Sequence, residues 1–300
     1  MTYTIWTQWS DLELPNEVLH AKTNGIEPDE ADLESIEFFV PLYMGATPSM
    51  ESLKKMKKLR VIQSLNAGVE NLLTICPAGV KLCNAAGVHD ASTAELAVGL
   101  AIAARRGFID FARSQFEQTW SHKQYSSLTD SKIAIVGFGN IGKKINQILS
   151  SFEVEITAFS RSGMGNSLKI EQLDALLPTF DIVILILPLT AQTHHFIDGR
   201  RLSRLKDGAT LINVSRGAVV DTDALVSELK KRRIAAALDV TDPEPLPTDH
   251  PLWRMDNVII TPHVGGDSKA FLPRGQKLVE EQIRRFASGQ ELLHVITQGT

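Results

Sequence analysis

The chain has 300 residues, of which 43% are hydrophobic and 22% charged, with a formal net charge of −4 at neutral pH. This is the composition of a folded globular protein with room for two domains. The mild acidity gives no support to a nucleic-acid or membrane-surface role, and no run reaches the roughly 18 apolar residues of a membrane span. The start, Met1-Thr2-Tyr3-Thr4-Ile5-Trp6, lacks the basic-then-apolar order of a secretory signal, so the cytoplasm is the expected location. Cys76 and Cys83 match neither a metal-ligand spacing nor a disulfide framework and are expected to be buried free thiols; no metal site is expected.

In chain order, Tyr3–Thr7 reads as a strand, Pro15–Thr23 as a short helix and Ser35–Val40 as a second strand. Pro48 opens a lysine-rich helix over Met50–Leu59, and strands follow at Arg60–Leu65 and Lys81–Asn84, with a glycine turn at Asn66-Ala67-Gly68-Val69. Strands alternating with helices predict a parallel sheet covered by helices. Ser92 or Thr93, with Glu95 beyond, has the pattern of a helix cap, and Leu96–Arg106 is apolar nearly all round, as in a buried helix.

From Ser131 the alternation is regular. Strands are expected at Lys132–Val136, Glu155–Phe159, Asp181–Leu187, Ala209–Val214, Ala235–Val240 and Val258–Thr261. Helices are expected at Ile141–Phe152, Ile170–Leu177 and Leu202–Leu205, with one more running from an Asp221 or Thr222 cap to Arg232. The strand at Asp181 is apolar throughout, which suits a central strand buried on both faces. Thr241–Pro251 is proline-rich and must be a loop, and Phe271–Ser288 is a final helix able to fold back onto the amino-terminal part. The expected division is 1–91 with 271–300, and 92–270.

Gly137-Phe138-Gly139-Asn140-Ile141-Gly142 is a G-x-G-x-x-G run between a strand and an amphipathic helix, the setting in which this weak pattern marks a dinucleotide site. Gly137 permits the turn, Gly139 the approach of a pyrophosphate, and Gly142 close helix–strand packing, while amides at the helix start face the anion. An NAD enzyme ends the next strand in Asp or Glu, for the ribose hydroxyl. Here the strand ends in Ser160-Arg161-Ser162, where a guanidinium and two hydroxyls suit a 2′-phosphate. NADP is the expected cofactor, with NAD as the alternative.

Three polar residues follow three strands: Arg216 in Asn213-Val214-Ser215-Arg216-Gly217, Glu244 in Asp239-Val240-Thr241-Asp242-Pro243-Glu244, and His263 in Thr261-Pro262-His263. Residues past the carboxyl ends of strands in an open α/β sheet face the ligand crevice. A cation, a carboxylate and an imidazole gathered there bind an acid substrate and move a proton. Taken singly, each also fits a surface ion pair, a solvated loop residue or a turn.

These segments, with Leu187-Pro188-Leu189-Thr190, Thr193, Glu244-Pro245-Leu246-Pro247 and Thr261-Pro262-His263-Val264-Gly265-Gly266, resemble the D-isomer-specific 2-hydroxyacid dehydrogenases. The resemblance is close from Ser92 to Gly266 and looser before it. It implies a flavodoxin-like substrate domain built from both chain ends, a central Rossmann cofactor domain, and a homodimer. It also implies that Arg216 holds the substrate carboxylate and 2-oxo group, that His263 exchanges the proton, and that Glu244 supports the imidazolium.

On the substrate side the resemblance points to Asn66, Ala67 and Gly68, whose amides would bind the carboxylate. Asn66 fits a contact to substrate or a turn-stabilising role, and Tyr43 fits a pocket wall or a hinge contact. On the cofactor side it points to Phe138, Asn140, Ile141, Leu187, Pro188, Val214, Asp239, Thr193 and Gly265. Asp239 competes for a second role beside the catalytic groups, and Thr93 for a helix cap. Ser160-Arg161-Ser162 is similar to the NADP-using glyoxylate/hydroxypyruvate reductases, which favours reduction of a small 2-oxoacid. A short phosphoglycerate dehydrogenase and a nucleotide-sensing corepressor-like module are the alternatives. Glu244, in place of glutamine, argues against formate oxidation.

Overall fold

The computed structural model describes residues 2–21, 28–45 and 50–296. The expected helix start at Pro48 and the end of the expected Pro15–Thr23 helix lie outside them. The chain forms two compact units, one from residues 1–89 and 269–300, the other from 90–268.

The first unit is built on a sheet of six strands. Its first five are β1 (Tyr3–Trp6), β2 (Val18–His20), β3 (Phe38–Phe39), β4 (Val61–Gln63) and β5 (Lys81–Cys83). Reading across the sheet gives β2-β1-β3-β4-β5, the flavodoxin-like order, all parallel. Val295–Ile296 then adds an antiparallel edge beside β5. Val18–His20 corrects the expected helix: its backbone pairs with Tyr3–Ile5, and sheet pairing overrides a helical-looking composition. The helix expected over Met50–Leu59 spans only Met50–Lys55.

The last helix, Phe271–Ala287, buries Gly275, Val279, Gln282, Ile283 and Phe286, a spacing that places one stripe against the sheet. Ile5, Phe38 and Val61 meet that stripe. Gln282 is fully buried; its Nε2 donates to Gln63 Oε1 at 2.6 Å and to the Leu293 carbonyl at 2.8 Å, and its Oε1 accepts from Leu293 N at 2.8 Å. One side chain thus ties helix, sheet and carboxyl-terminal segment together. Cys76 and Cys83 are free thiols; Cys83 is buried, which pushes its thiol up to about 11, whereas Cys76 is only half-buried.

The second unit carries a seven-stranded parallel sheet. Its strands are β6 (Lys132–Val136), β7 (Glu155–Ser160), β8 (Leu168–Lys169), β9 (Ile182–Leu185), β10 (Thr210–Asn213), β11 (Ala235–Leu238) and β12 (Val258–Ile260). The order β8-β7-β6-β9-β10-β11-β12 reverses direction between β6 and β9, the topological switch of a doubly wound dinucleotide fold. All four residues of β9 are buried, as an apolar run at the centre of such a sheet requires.

Helix Asp90–Arg105 packs Ala94, Ala97, Val98 and Ala101 into one face of this core, and Ile145 and Leu149 of helix Asn140–Leu149 join them. The first helix begins at Asp90, so Ser92 and Thr93 sit in its opening turn and are not its cap. Thr93 is buried, and Ser92 Oγ pairs with Ser268 Oγ at 2.7 Å. The helix expected over Ile170–Leu177 is a short α-turn, Leu173–Leu176, between two 3-10 turns.

Helix Phe108–Phe116 has no counterpart among the expected elements. It buries none of its residues, so no core-facing stripe announces it.

The Gln282 network makes a stability prediction. Gln282→Leu strands the buried Gln63 Oε1, at a cost of about 1–3 kcal/mol for a buried group left unpaired, and frees the half-buried Leu293 N. Urea unfolding should show a clear drop in midpoint; a change within about 0.5 kcal/mol would contradict the role assigned to this side chain.

Candidate active site

The site is assembled from three loops that leave the carboxyl ends of β10, β11 and β12. At the end of β10, Asn213 is buried and organises the turn that presents Arg216. Its Oδ1 accepts from Ser215 N at 3.1 Å and Ser215 Oγ at 2.7 Å, and its Nδ2 donates to the Arg216 carbonyl at 3.0 Å. The Arg216 Nη1 donates to the Ser215 carbonyl at 2.8 Å. Gly217 is required here for steric reasons: a Cβ would lie 1.9 Å from the Thr241 carbonyl oxygen. That contact draws the Arg216 turn against the loop that carries Glu244.

Beyond β12, the chain turns sharply and His263 takes a left-handed φ of +53°. A non-glycine residue there carries strain of about 1–3 kcal/mol, so the surroundings must hold it. Asp239 does so. Its backbone carbonyl accepts from His263 N at 2.7 Å. Its Oδ1 accepts from Thr261 Oγ1 at 2.6 Å and Val264 N at 3.0 Å, and its Oδ2 from Gly265 N at 2.8 Å. A Cβ on Gly265 would sit 2.9 Å from that Oδ2, so only glycine lets the turn close on the carboxylate.

Held this way, His263 Nδ1 lies 2.6 Å from Glu244 Oε1. The hydrogen bond to Glu244 raises the imidazole pKa above its usual range; burial and the Arg216 charge oppose this, while the Glu244 and Asp239 charges add to it. Burial pushes the Glu244 carboxyl the other way, but the bond to His263, the charges of His263 and Arg216, and the Thr241 amide together bring it below the carboxylate range. Arg216 acts electrostatically on both partners. The structure therefore gathers Arg216, Glu244 and His263, with Asp239 as the post behind the imidazole.

The glycine run lies in the same unit. Gly137 has φ +107°, and a Cβ on it would lie 2.3 Å from the Ile186 carbonyl oxygen. A Cβ on Gly142 would lie 2.1 Å from the Gly137 oxygen. Gly139, by contrast, has open space where its Cβ would be. It caps the helix Asn140–Leu149, whose first amides have no partner within the helix. Two glycines serve packing and one leaves a cradle, which fits a dinucleotide pyrophosphate.

The other expected cofactor residues divide. Phe138 and Ile141 are partly buried against the core, and Leu187 packs partly into it while Pro188 is exposed. The side chain of Val214 is buried, so only its backbone is available to a ligand. Thr193 Oγ1 accepts from Thr190 N at 2.7 Å and donates to the Pro188 carbonyl at 2.6 Å, closing its own loop. Ser160, Arg161 and Ser162 lie at the end of β7, with Arg161 and Ser162 exposed.

In the first unit, Asn66 N is bonded to Ser64 Oγ at 3.0 Å and the Asn66 carbonyl accepts from Ala85 N at 3.0 Å; Asn84 Nδ2 holds the Ala67 carbonyl at 2.8 Å. Asn66 and Gly68 line a small pocket with Ser64 and Leu42. Tyr43 does not line it, and stacks on Phe271 with ring centres 3.7 Å apart. Asn213 and Thr261 are the structurally important residues that the motifs contained without marking. Their only signal is a short polar side chain two or three residues from Arg216 and His263.

The His263 environment is directly testable. The His263 ring should titrate by NMR above the usual imidazole range, and Glu244→Gln should bring the midpoint down, because burial and Arg216 both then favour the neutral ring. An unchanged midpoint would contradict the pairing.

Residues 98–265 match the family model described as D-isomer specific 2-hydroxyacid dehydrogenase, NAD binding domain. A glyoxylate reductase of Thermofilum pendens is 34% identical over 245 residues, 77% of this chain and 71% of its own. A hydroxypyruvate reductase of Thermotoga maritima is 31% identical over 284 residues, 91% and 92% of the two chains. The crystal structure of a D-isomer specific 2-hydroxyacid dehydrogenase from Xanthobacter autotrophicus Py2, in complex with NADPH and MES, superposes with a TM-score of 0.79 at 25% identity, over 99% of this chain and 98% of that one. Among the described residues no helix is long and apolar enough to cross a membrane. The chain belongs to the D-isomer specific 2-hydroxyacid dehydrogenase family and is an NAD(P)-dependent oxidoreductase of CH–OH groups.

Proposed function

We propose that the protein reduces a small 2-oxoacid, of the glyoxylate or hydroxypyruvate kind, to the D-2-hydroxyacid, with NADPH as the preferred cofactor. The observation that carries this is the 2.6 Å His263–Glu244 pair beside the Arg216 guanidinium.

The dinucleotide is held by the open face at Gly139, the amides of Asn140 and Ile141, and the backbone around Leu187, Pro188 and Val214. When bound, its nicotinamide supplies a hydride to the 2-oxo carbon. Arg216 binds the substrate carboxylate and carbonyl oxygen through its planar fork and steadies the charge that grows on that oxygen. His263, kept protonated by Glu244, gives its proton to the same oxygen, so that one hydride and one proton make the hydroxyl. Glu244 receives no proton; it remains the counter-ion that makes His263 a cation before reaction and a neutral base after it.

Support for NADPH comes from Arg161, from the lack of any carboxylate between Glu155 and Glu171, and from the NADPH complex of the Xanthobacter relative. The relatives named glyoxylate reductase and hydroxypyruvate reductase support the substrate class.

The working form is a homodimer. Helix Phe108–Phe116 and the segment after it carry Phe116 and Trp120 at 90% and 97% exposure, with Phe108 and Phe111 also open. Four large apolar rings on one short stretch are more than a monomer leaves in water without a partner. Sedimentation should give a dimer for the native chain and a monomer for Phe116→Glu/Trp120→Glu; a monomeric native chain would contradict the assembly.

The chemistry is tested by a 2-oxoacid panel with NADPH and NADH. Turnover is expected with glyoxylate or hydroxypyruvate. His263→Ala should lower kcat by about 10²–10⁴-fold, the usual contribution of a positioned acid, with cofactor affinity within twofold of native. Arg216→Ala should chiefly lower kcat/KM for the oxoacid. Absence of turnover across the panel, with cofactor binding intact, would overturn the reading.

A further inference from the structure

The loop that joins β7 to β8 holds a second cation beside Arg161, one that the glycine fingerprint does not bring to notice. β8 lies parallel to β7, and Lys169 is the register partner of Ser160, the residue just before Arg161. Neighbouring strands are about 4.8 Å apart, and register partners in parallel strands point to the same face of the sheet. Lys169 thus emerges next to the strand end that carries Arg161.

Its stem is also placed. A Cβ at Gly163 would lie 2.7 Å from Lys169 Cγ, so the lysine chain crosses the loop backbone two residues beyond Arg161, over a glycine that makes room for it. Gly163 takes φ +69°, and Gly165 and Asn166 are left-handed as well, which curls the loop tightly. Serine hydroxyls fix the curl from within. Ser160 Oγ pairs with Ser167 Oγ at 2.7 Å and accepts from Gly163 N at 3.0 Å, while the buried Ser167 donates to the Met164 carbonyl at 2.6 Å. This internal bonding would hold two cations and the Ser162 hydroxyl in one small region.

The charge there is unbalanced. Residues 156–170 contain Arg161 and Lys169 and no carboxylate. Among the described residues neither cation has an acidic partner, whereas Arg200, Arg201, Lys206 and Arg233 in the same unit each meet one. Two uncompensated cations on a serine-lined turn, at the strand end where the adenosine ribose of a dinucleotide lies, make an anion site.

We infer that Lys169 is a specificity-determining residue that, with Arg161, binds the 2′-phosphate of a 2′-phosphorylated adenosine. This rests on the NADPH preference proposed above. Arg161 supplies a planar fork and Lys169 a compact charge, so the phosphate dianion is met by two cations of different shape. The affinity so gained is salt-sensitive because both groups stand in solvent.

Calorimetric titration tests it with two probes, adenosine 2′,5′-bisphosphate and 5′-AMP, which differ only in the 2′-phosphate. Native protein should bind the bisphosphate at least about tenfold more tightly, the least expected of a charge-assisted contact. Lys169→Gln should lose about tenfold for the bisphosphate and leave 5′-AMP unchanged, and Lys169→Arg should recover most of the loss. If native protein binds the two probes equally, the NADPH reading itself fails. If native protein discriminates but Lys169→Gln discriminates as well as it does, Lys169 has no such role and the NADPH reading stands on Arg161. Equal weakening of both probes would mark a general effect on the loop and would likewise overturn the inference.

Discussion

The hydrogen bond between His263 Nδ1 and Glu244 Oε1 is the contact on which the proposed chemistry turns, and it exists only because a strained turn is held in place. His263 occupies a left-handed conformation that it would not adopt alone. Asp239 accepts three hydrogen bonds on its carboxylate and one on its carbonyl from residues 261–265, which fixes the backbone on either side of the imidazole. The sheet supplies the rest: β11 brings Asp239, β12 brings Thr261, and their pairing in register sets the two loops side by side. A proton-transfer group needs placement before it needs a shifted pKa, and here the same turn supplies both.

Steric necessity does equal service elsewhere in this unit. Gly217 lets the Arg216 turn lie against Thr241, and Gly265 lets the His263 turn close over Asp239. Gly137 and Gly142 remove side chains that would strike backbone, while Gly139 leaves a space. The first four serve packing within the protein, and the last leaves room beside the helix start. That distinction separates a glycine-rich turn from a pyrophosphate cradle.

Much of this was legible from residue order. The strand–turn–helix setting of Gly137–Gly142 and the regular alternation after Ser131 follow from periodicity and turn chemistry, both local. The gathering of Arg216, Glu244 and His263 was legible because parallel strands bring their carboxyl ends to one edge. What escaped was non-local. Val18–His20 is a strand because Tyr3–Ile5 lies beside it, which no window around residue 18 contains. Helix Phe108–Phe116 has no buried face to mark it. The burial of Val214 and the self-contained bonding of Thr193 depend on packing and loop closure. Lys169 escaped because its proximity to Arg161 arises from a short parallel strand across a seven-residue loop.

The central claim is that Glu244 holds His263 protonated as the acid of 2-oxoacid reduction. With the imidazole pKa raised, kcat/KM for reduction should be flat at low pH and fall as pH rises through that pKa, since the neutral ring has no proton to give. Replacing Glu244 by Gln removes the chief raising influences and leaves burial and Arg216, which both lower the pKa, opposed only by the Asp239 charge. The most direct measurement is the pH profile of kcat/KM for native protein and Glu244→Gln. The account predicts a falling limb above the ordinary imidazole range in the native protein, displaced to lower pH in the variant. A limb at the same pH in both would contradict it.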